Sequence, residues 1–300
     1  GTVQWLNHAG FAVRSDAAER SAIETELGAA IAGGQMLLQY QPQVADGGRV
    51  VGAEALVRWR HPSRGMVPPV EFIPVAERCG LMGALGDWVL AEGRRQLAVW
   101  ATDARTAQST LAINVSAAQF QQSDFVQRVL ATIAGAGVAP TLVKLELTES
   151  MLARDIDDIA AKMQALKAHG IGFSLDDFGT GFSSLSYLRR LPLDQLKIDR
   201  SFVNNMLASP SDAAIARTVV DLGRSLGLQV IAEGVETDAQ RRALVDIGCH
   251  TYQGYFFGRP MDDSQFLAFV RGAASSAESS PAREAHQASS GVESGLHGMP

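Results

Sequence analysis

From about residue 36 the chain settles into short apolar runs that alternate with longer stretches whose apolar residues recur at helical spacing. Eight runs read as strands: LLQYQPQV (37–44), VVGAEALVRW (50–59), TLAINVS (110–116), LVKLELTE (142–149), GFSLDDF (172–178), QLKID (195–199), QVIAEGV (229–235) and YQGYFFG (252–258). Between them lie segments such as DIDDIAAKMQALKAHG and DAAIARTVVDLGRSLG, each closing on a glycine, the residue that helix C-termini favour. Eight strands mostly separated by helices predict an α/β fold of the (β/α)8 TIM-like barrel type, which needs ~250 residues. A doubly wound open sheet is the alternative topology for the same alternation.

The two ends break the pattern. Residues 272–300 are rich in Ser, Ala, Gly and Glu with almost no large apolar side chains, so they cannot offset the entropy of ordering and are expected to be a disordered tail. Residues 1–14 are too short for a domain, and the helix-like AAERSAIETELGAAIAGG that follows reads as a connector into the barrel. The chain therefore divides into a linker (1–19), a barrel domain (20–271) and a tail (272–300), and reads as the C-terminal part of something longer.

Composition narrows the function classes. A chain of 300 residues that is 46% hydrophobic has ample material for a large core. A net charge of −6 argues against a binder of duplex nucleic acid, which needs surplus Lys and Arg. An anionic substrate would then need local cations or metals. No apolar run approaches the roughly 20 residues of a membrane helix, and the N-terminus lacks the order of a signal peptide, so a cytoplasmic, soluble fragment is expected. Cys79 and Cys249 are isolated, without zinc spacing, and read as small buried hydrophobes in a reducing compartment rather than as a disulfide.

In a barrel, functional groups sit at the C-terminal ends of the strands. Glu54, Asn114, Glu146, Asp176, Asp177, Lys197, Asp199, Glu233 and Gln253 all fall inside or at the ends of candidate strands. Glu54 and Arg58 lie an even number of residues apart and face the same way, whereas the adjacent Asp176 and Asp177 can share a pocket only if their strand ends there. The carboxylates, crowded together, would raise one another's pKa unless a cation sat among them. An all-oxygen set with no Cys or His suits Mg²⁺ or Mn²⁺ rather than zinc, and its size suits two ions, an arrangement that commonly serves phosphoester hydrolysis.

Each signal has a plainer reading. A single strand-end acid is commonly a helix cap or a solvated loop residue, and Lys197 with Asp199 alone reads as a surface ion pair. The GTG at 179–181 superficially resembles a dinucleotide loop, but a third glycine is missing and two acids would face the pyrophosphate. His61 is expected to be structural, and Trp59, Trp88 and Trp100 to be core. The strand-end polar set, taken jointly, still argues for a site.

Seven motifs occur in order: AEALVRWRHP around Glu54, NVS (114–116), ELTES (146–150), DDFGTGFSSL (176–185), KID (197–199), EGVE (233–236) and QGYFFGRP (253–260). Over about residues 20 to 271 the chain closely resembles the EAL family of cyclic di-GMP phosphodiesterases. The resemblance implies a barrel whose first strand runs antiparallel to the others, and hydrolysis of cyclic di-GMP to linear pGpG. By motif, it implies that Glu54, Asn114, Glu146 and Asp176 hold one metal and Asp177 the second. Glu233 would be a metal ligand or the base that positions the attacking water. Lys197 would stabilise that water and the charge at phosphorus, supported by Asp199 and Glu236. Gln41, Arg58 and Gln253 would contact substrate, and Glu149 would anchor the loop after Asp177. Phe182 stands where tyrosine is common in the family. Relatives of this fold also serve as catalytically silent receptors or protein-interaction modules, and the completeness of the set here favours the enzyme. The N-terminal stretch resembles the end of a GGDEF cyclase domain, so an upstream GGDEF or sensor domain is expected. A homodimer through the region near the DDFGTG loop is the expected assembly.

Overall fold

Strand β1 (Met36–Ala45) is where the sheet closes on itself. In a computed structural model, which describes residues 17–278 apart from 135–136, 154 and 180–187, β1 pairs antiparallel on one side with β2 (Val50–His61) and on the other with β9 (Thr251–Gln253). From β2 the ladder continues in parallel through β4 (Thr110–Asn114), β5 (Val143–Thr148), β6 (Gly172–Phe178), β7 (Gln195–Ile198) and β8 (Gln229–Ala232) to β9. The result is an eight-stranded barrel with its first strand reversed, as the resemblance implied. A ninth strand, β3 (Gly65–Val67), hangs on β2 as an antiparallel flap that three residues without alternation gave no reason to expect.

The helices form where the sequence supplies their ends. Ser209 accepts from Asp212 N ahead of Pro210, and Gly227, in the left-handed region at φ 69°, closes the same helix (Pro210–Leu226). Asp155 caps Ile156–Lys167, and Thr237 with Gln240 forms a capping box on Asp238–Asp246. These helices cover the outside of the barrel. A Cβ at Gly93, on Met82–Trp100, would stand 2.8 Å from Ile113 Cδ1, and one at Gly223 would stand 2.3 Å from Val230 Cγ2. Leu111, Ile113, Val143, Leu145, Leu147, Phe173 and Leu175 are all fully or almost fully buried in this layer between sheet and helices. Trp59 and Trp100 are fully buried, and Trp88 packs at the edge of the core.

Alternate residues of the same strands point into the barrel, and there the pattern inverts. Gln39, Gln41 and Gln43 on β1, Glu54 and Arg58 on β2, Lys144 and Glu146 on β5, Ser174 and Asp176 on β6, and Gln195 and Lys197 on β7 share the interior side. At a lower level Lys144 Nζ and Ser174 Oγ both donate to Gln195 Oε1, at 3.1 Å each.

Several boundaries differ from the sequence reading. β9 stops at Gln253 because a Cβ at Gly254 would lie 2.2 Å from Val235 O, and the chain folds back there with Gly258 N donating to Gly254 O. β7 stops at Ile198 because Asp199 caps the next helix, and β8 stops at Ala232 ahead of Gly234 at φ 66°. The last helix, Asp263–Glu278, runs past residue 271, so the part of the tail before residue 279 is helical; the remainder, and residues 1–16 of the linker, lie outside the described residues. Cys249 is buried as expected, but Cys79 is exposed, because it follows the C-terminal end of Pro69–Arg78 rather than facing the sheet; both are free. No helix among the described residues is long and apolar enough to cross a membrane.

Leu145 is fully buried on the outer face of β5, so Leu145→Ala removes packing that little nearby can collapse to replace. The expected loss is about 2–5 kcal/mol in urea unfolding; a loss well under 1 kcal/mol would show that the sheet–helix layer is loosely packed at β5.

Candidate active site

The upper level of the barrel interior gathers acids from three strands and the turn after a fourth around one ammonium. Lys197 is completely buried, and its Nζ lies 2.9 Å from Glu146 Oε2, 3.1 Å from Asp176 Oδ2, 2.5 Å from Glu233 Oε1 and 3.7 Å from Glu54 Oε2. The registers bring this about: Glu54 lies opposite Ala112, Asn114 opposite Glu146, and Lys197 opposite Ile231, just before the turn that carries Glu233. Asn114 Nδ2 donates to Glu54 Oε1 at 2.7 Å. Gln253 Nε2 donates to Glu54 Oε2 at 2.5 Å and to Gln41 Oε1 at 3.2 Å.

Asp176 and Asp177 occupy one site because the backbone turns between them and the next strand residue. Asp177 has φ 58°, the one non-glycine in the left-handed region among the described residues, and the pairing with β7 slips between Leu175 and Phe178. Aspartate tolerates this conformation better than most residues, since its short polar side chain can bond locally. Asp177 N donates to Asp176 Oδ1 at 3.0 Å, while the Asp177 carboxyl is hydrogen-bonded to Asp199. Two residues on, Gly179 N donates to Glu149 Oε2 at 3.1 Å, the anchor the resemblance implied. Residues 180–187 of that loop, Phe182 among them, lie outside the described residues.

Burial and like charge dominate the electrostatics. Burial pushes Glu146 up to about 8, and burial with Asp176 and Asp199 nearby pushes Asp177 up to about 8. Asp176 and Glu233 are raised as well, first by burial and then by their acidic neighbours. For Lys197 burial works against the charge, but Asp176, Glu146, Glu233 and Glu54 outweigh it and hold the ammonium well above its ordinary value.

The donor set fits an oxygen-binding divalent cation. It contains only carboxylate and amide oxygens, its four acids outnumber the one ammonium among them, and Glu146 Oε1 is a buried acceptor with no hydrogen-bond partner. Among the described residues no three acidic, His or Cys groups already stand in metal-holding geometry; these four acids are closed around Lys197 instead.

Of the remaining expected residues, Gln41, Glu236 and Gln253 line a pocket at the centre. Arg58 is buried, with Nε donating to Gln39 Oε1 at 2.8 Å and Nη1 to Val57 O at 2.9 Å; burial lowers its pKa while Glu54 and Tyr255 oppose the shift. Gln41 Nε2 donates to Gly258 O at 3.2 Å. An open pocket of about 420 Å³ is lined by Gln41, Glu233, Glu236, Gln253, Arg200, Asn204 and Tyr255 among others. Asp199 is both neighbour to Asp177 and helix cap, accepting from Ser201 N at 2.9 Å, so the cap reading of a strand-end acid holds for it, whereas Lys197 is fully buried and makes no surface ion pair. His61 is structural: its Nδ1 accepts from Ser63 N and Arg64 N while Nε2 meets Glu26.

Sequence reasoning missed Gln43, whose Nε2 donates to Gln253 Oε1 at 3.1 Å, although strand alternation from Gln41 points to it. It also missed Arg200 and Asn204, which the i, i+4 spacing puts on one face of Arg200–Asn205.

The model of the EAL domain family matches residues 24–260. The bifunctional diguanylate cyclase/cyclic di-GMP phosphodiesterase MucR of Pseudomonas aeruginosa is 43% identical over 259 residues, covering 86% of this chain and 38% of that protein. The cyclic di-GMP phosphodiesterase PA2567 of the same organism is 40% identical over 235 residues, covering 78% of this chain and 40% of that one. Among solved structures, the PaMucR phosphodiesterase in complex with c-di-GMP superposes with a TM-score of 0.79 at 43% identity, covering 82% of this chain and all of that one. The chain thus spans about two fifths of the length of these two curated relatives.

Carboxyls raised in the folded state favour folding when protonated. Their contribution is present below the ordinary carboxylate range and is lost as pH rises toward about 8, the value reached by Glu146 and Asp177. In chelator, the melting temperature is therefore expected to fall between pH 5 and pH 8, less so in Asp177→Asn; a melting temperature that rises over that window would contradict this picture.

Proposed function

This chain belongs to the EAL domain family, and from that premise we propose that it hydrolyses one phosphodiester of cyclic di-GMP to give linear pGpG, with two divalent ions, Mg²⁺ or Mn²⁺, at the acidic centre. The observation that carries the reading is the convergence of Glu54, Glu146, Asp176 and Glu233 on one buried point beneath an open pocket. The relatives named for this activity support it. Glu54, Asn114, Glu146 and Asp176 would hold one ion, Asp177 the other, and Glu233 either ligates or accepts the proton of the attacking water. When bound, the ions supply an acidified water and neutralise the phosphate against the acidic walls.

The protein's own side chains do the rest. Lys197 Nζ donates toward the charge that develops at phosphorus, in a site from which bulk water is excluded. Arg58 presents a planar fork to a phosphate oxygen, held in orientation by Gln39. Gln41 and Gln253, already bonded to each other and, through Gln253, to Glu54, fix the substrate against the centre. Asp199 keeps the Asp177 carboxyl in place, and Glu236 flanks the pocket mouth. We also infer a GGDEF domain upstream of the barrel in the natural protein, in line with the cyclase half of MucR's name, and a homodimer through the region near the DDFGTG loop.

Incubation with cyclic di-GMP and Mg²⁺ or Mn²⁺ is expected to yield pGpG, and chelator or Glu54→Ala to abolish it. Asp177→Asn is expected to lower kcat by more than the ~10–100-fold that changes outside the ligand shell cost, with little change in melting temperature. Tight binding of the dinucleotide without turnover in the metal-replete wild type would make the protein a receptor instead.

A further inference from the structure

The three shortest contacts of Lys197 use up the three N–H bonds of its ammonium, and they go to Glu146, Asp176 and Glu233, three of the acids assigned above to the metals. Glu54 stands further off at 3.7 Å and is held by Asn114 and Gln253. The same oxygens cannot serve both cations at once. An ammonium holds its acceptors near 3 Å, whereas Mg²⁺ requires them at about 2.0–2.1 Å, and a dication seated among these acids would be within a few ångströms of a like charge. Lysine carries its charge on a flexible four-carbon stem that can withdraw without moving the strand.

We propose that Lys197 is an internal counter-ion that keeps the place of the divalent ions, holding the acids together in the metal-free protein and leaving Glu146 and Asp176 when metal enters. This inference rests on the metal-dependent reading of the site. It gives Lys197 a role before substrate arrives: the barrel folds around its own cation, and loading is an exchange of cations rather than the filling of a bare acidic hole. It also accounts for the lack of any ready-made metal geometry among acids that are otherwise complete.

The test compares the chelator-treated wild type with Lys197→Met. Mn²⁺ binding, followed by electron paramagnetic resonance, is expected to be at least ~10-fold tighter in the variant, where no like charge competes. Metal is also expected to raise the melting temperature of the variant much more than that of the wild type. In the wild type, the ¹⁵Nζ signal of Lys197 is expected to exchange slowly with water in chelator and to shift and lose that protection at saturating Mg²⁺. A variant that folds only with Mn²⁺ present supports the proposal. Equal Mn²⁺ affinities, or an Nζ signal unmoved by Mg²⁺, overturn it while leaving the metal site standing. Absence of Mn²⁺ binding in both proteins overturns the metal reading and the proposal together.

Discussion

A fully buried ammonium surrounded by four carboxylates is the constraint on which this barrel depends. Taking such charges out of water is expensive, and mutual attraction repays the cost only when the geometry is tight. The five partners come from five different places: β2, β5, β6, β7 and the turn after β8. Every strand pairing between them must be in register at once. A slip of one residue in any ladder would send an acid or the lysine to the apolar outer face and leave the others unbalanced.

Barrel interiors of this class are generally filled by bulky aliphatic layers. Here the interior levels are polar, from Lys144, Ser174 and Gln195 up to Glu146, Asp176 and Lys197, so the interior contributes less hydrophobic stabilisation than usual. The layer between sheet and helices compensates. Its side chains are almost all fully buried, and glycines at 93 and 223 let helices close onto β4 and β8 without a gap. Stability and chemistry are thereby separated on opposite sides of the same strands, and strand alternation alone decides which side a residue serves.

That separation explains how much could be read in the sequence. Strand-end polar residues interrupting apolar runs are visible as a pattern, and of those candidates Glu54, Glu146, Asp176 and Glu233 meet at Lys197 while Gln253 lines the pocket. The reversed β1 was legible only by resemblance, because period-two alternation carries no direction. The short β9 ends before the sequence suggests because the aromatic run that follows Gln253 has the composition of a strand, and what ends the strand is a backbone contact between Gly254 and Val235 that no propensity encodes. Arg200 and Asn204 were overlooked because a helix residue that faces a pocket looks, in sequence, like one that faces solvent.

Asp177 links the buried centre to the surface. Its positive φ is unfavourable for a non-glycine residue and persists only where its surroundings hold it. Two contacts do so: Asp199 bonds the carboxyl from β7's end, and Glu149, two residues further along, fixes Gly179 N. Asp177 therefore sits between two clamps, one on its own carboxyl and one on the backbone two residues on, just where the pairing with β7 slips between Leu175 and Phe178. Asp176 accepts from both Lys197 Nζ and Asp177 N, which ties the residue in the left-handed region directly to the buried centre. The paired aspartates thus stand one hydrogen bond apart between two fixed points, the buried ammonium behind Asp176 and the Glu149 anchor of Gly179 ahead of Asp177, and it is this spacing that needs an aspartate to take a conformation usually left to glycine.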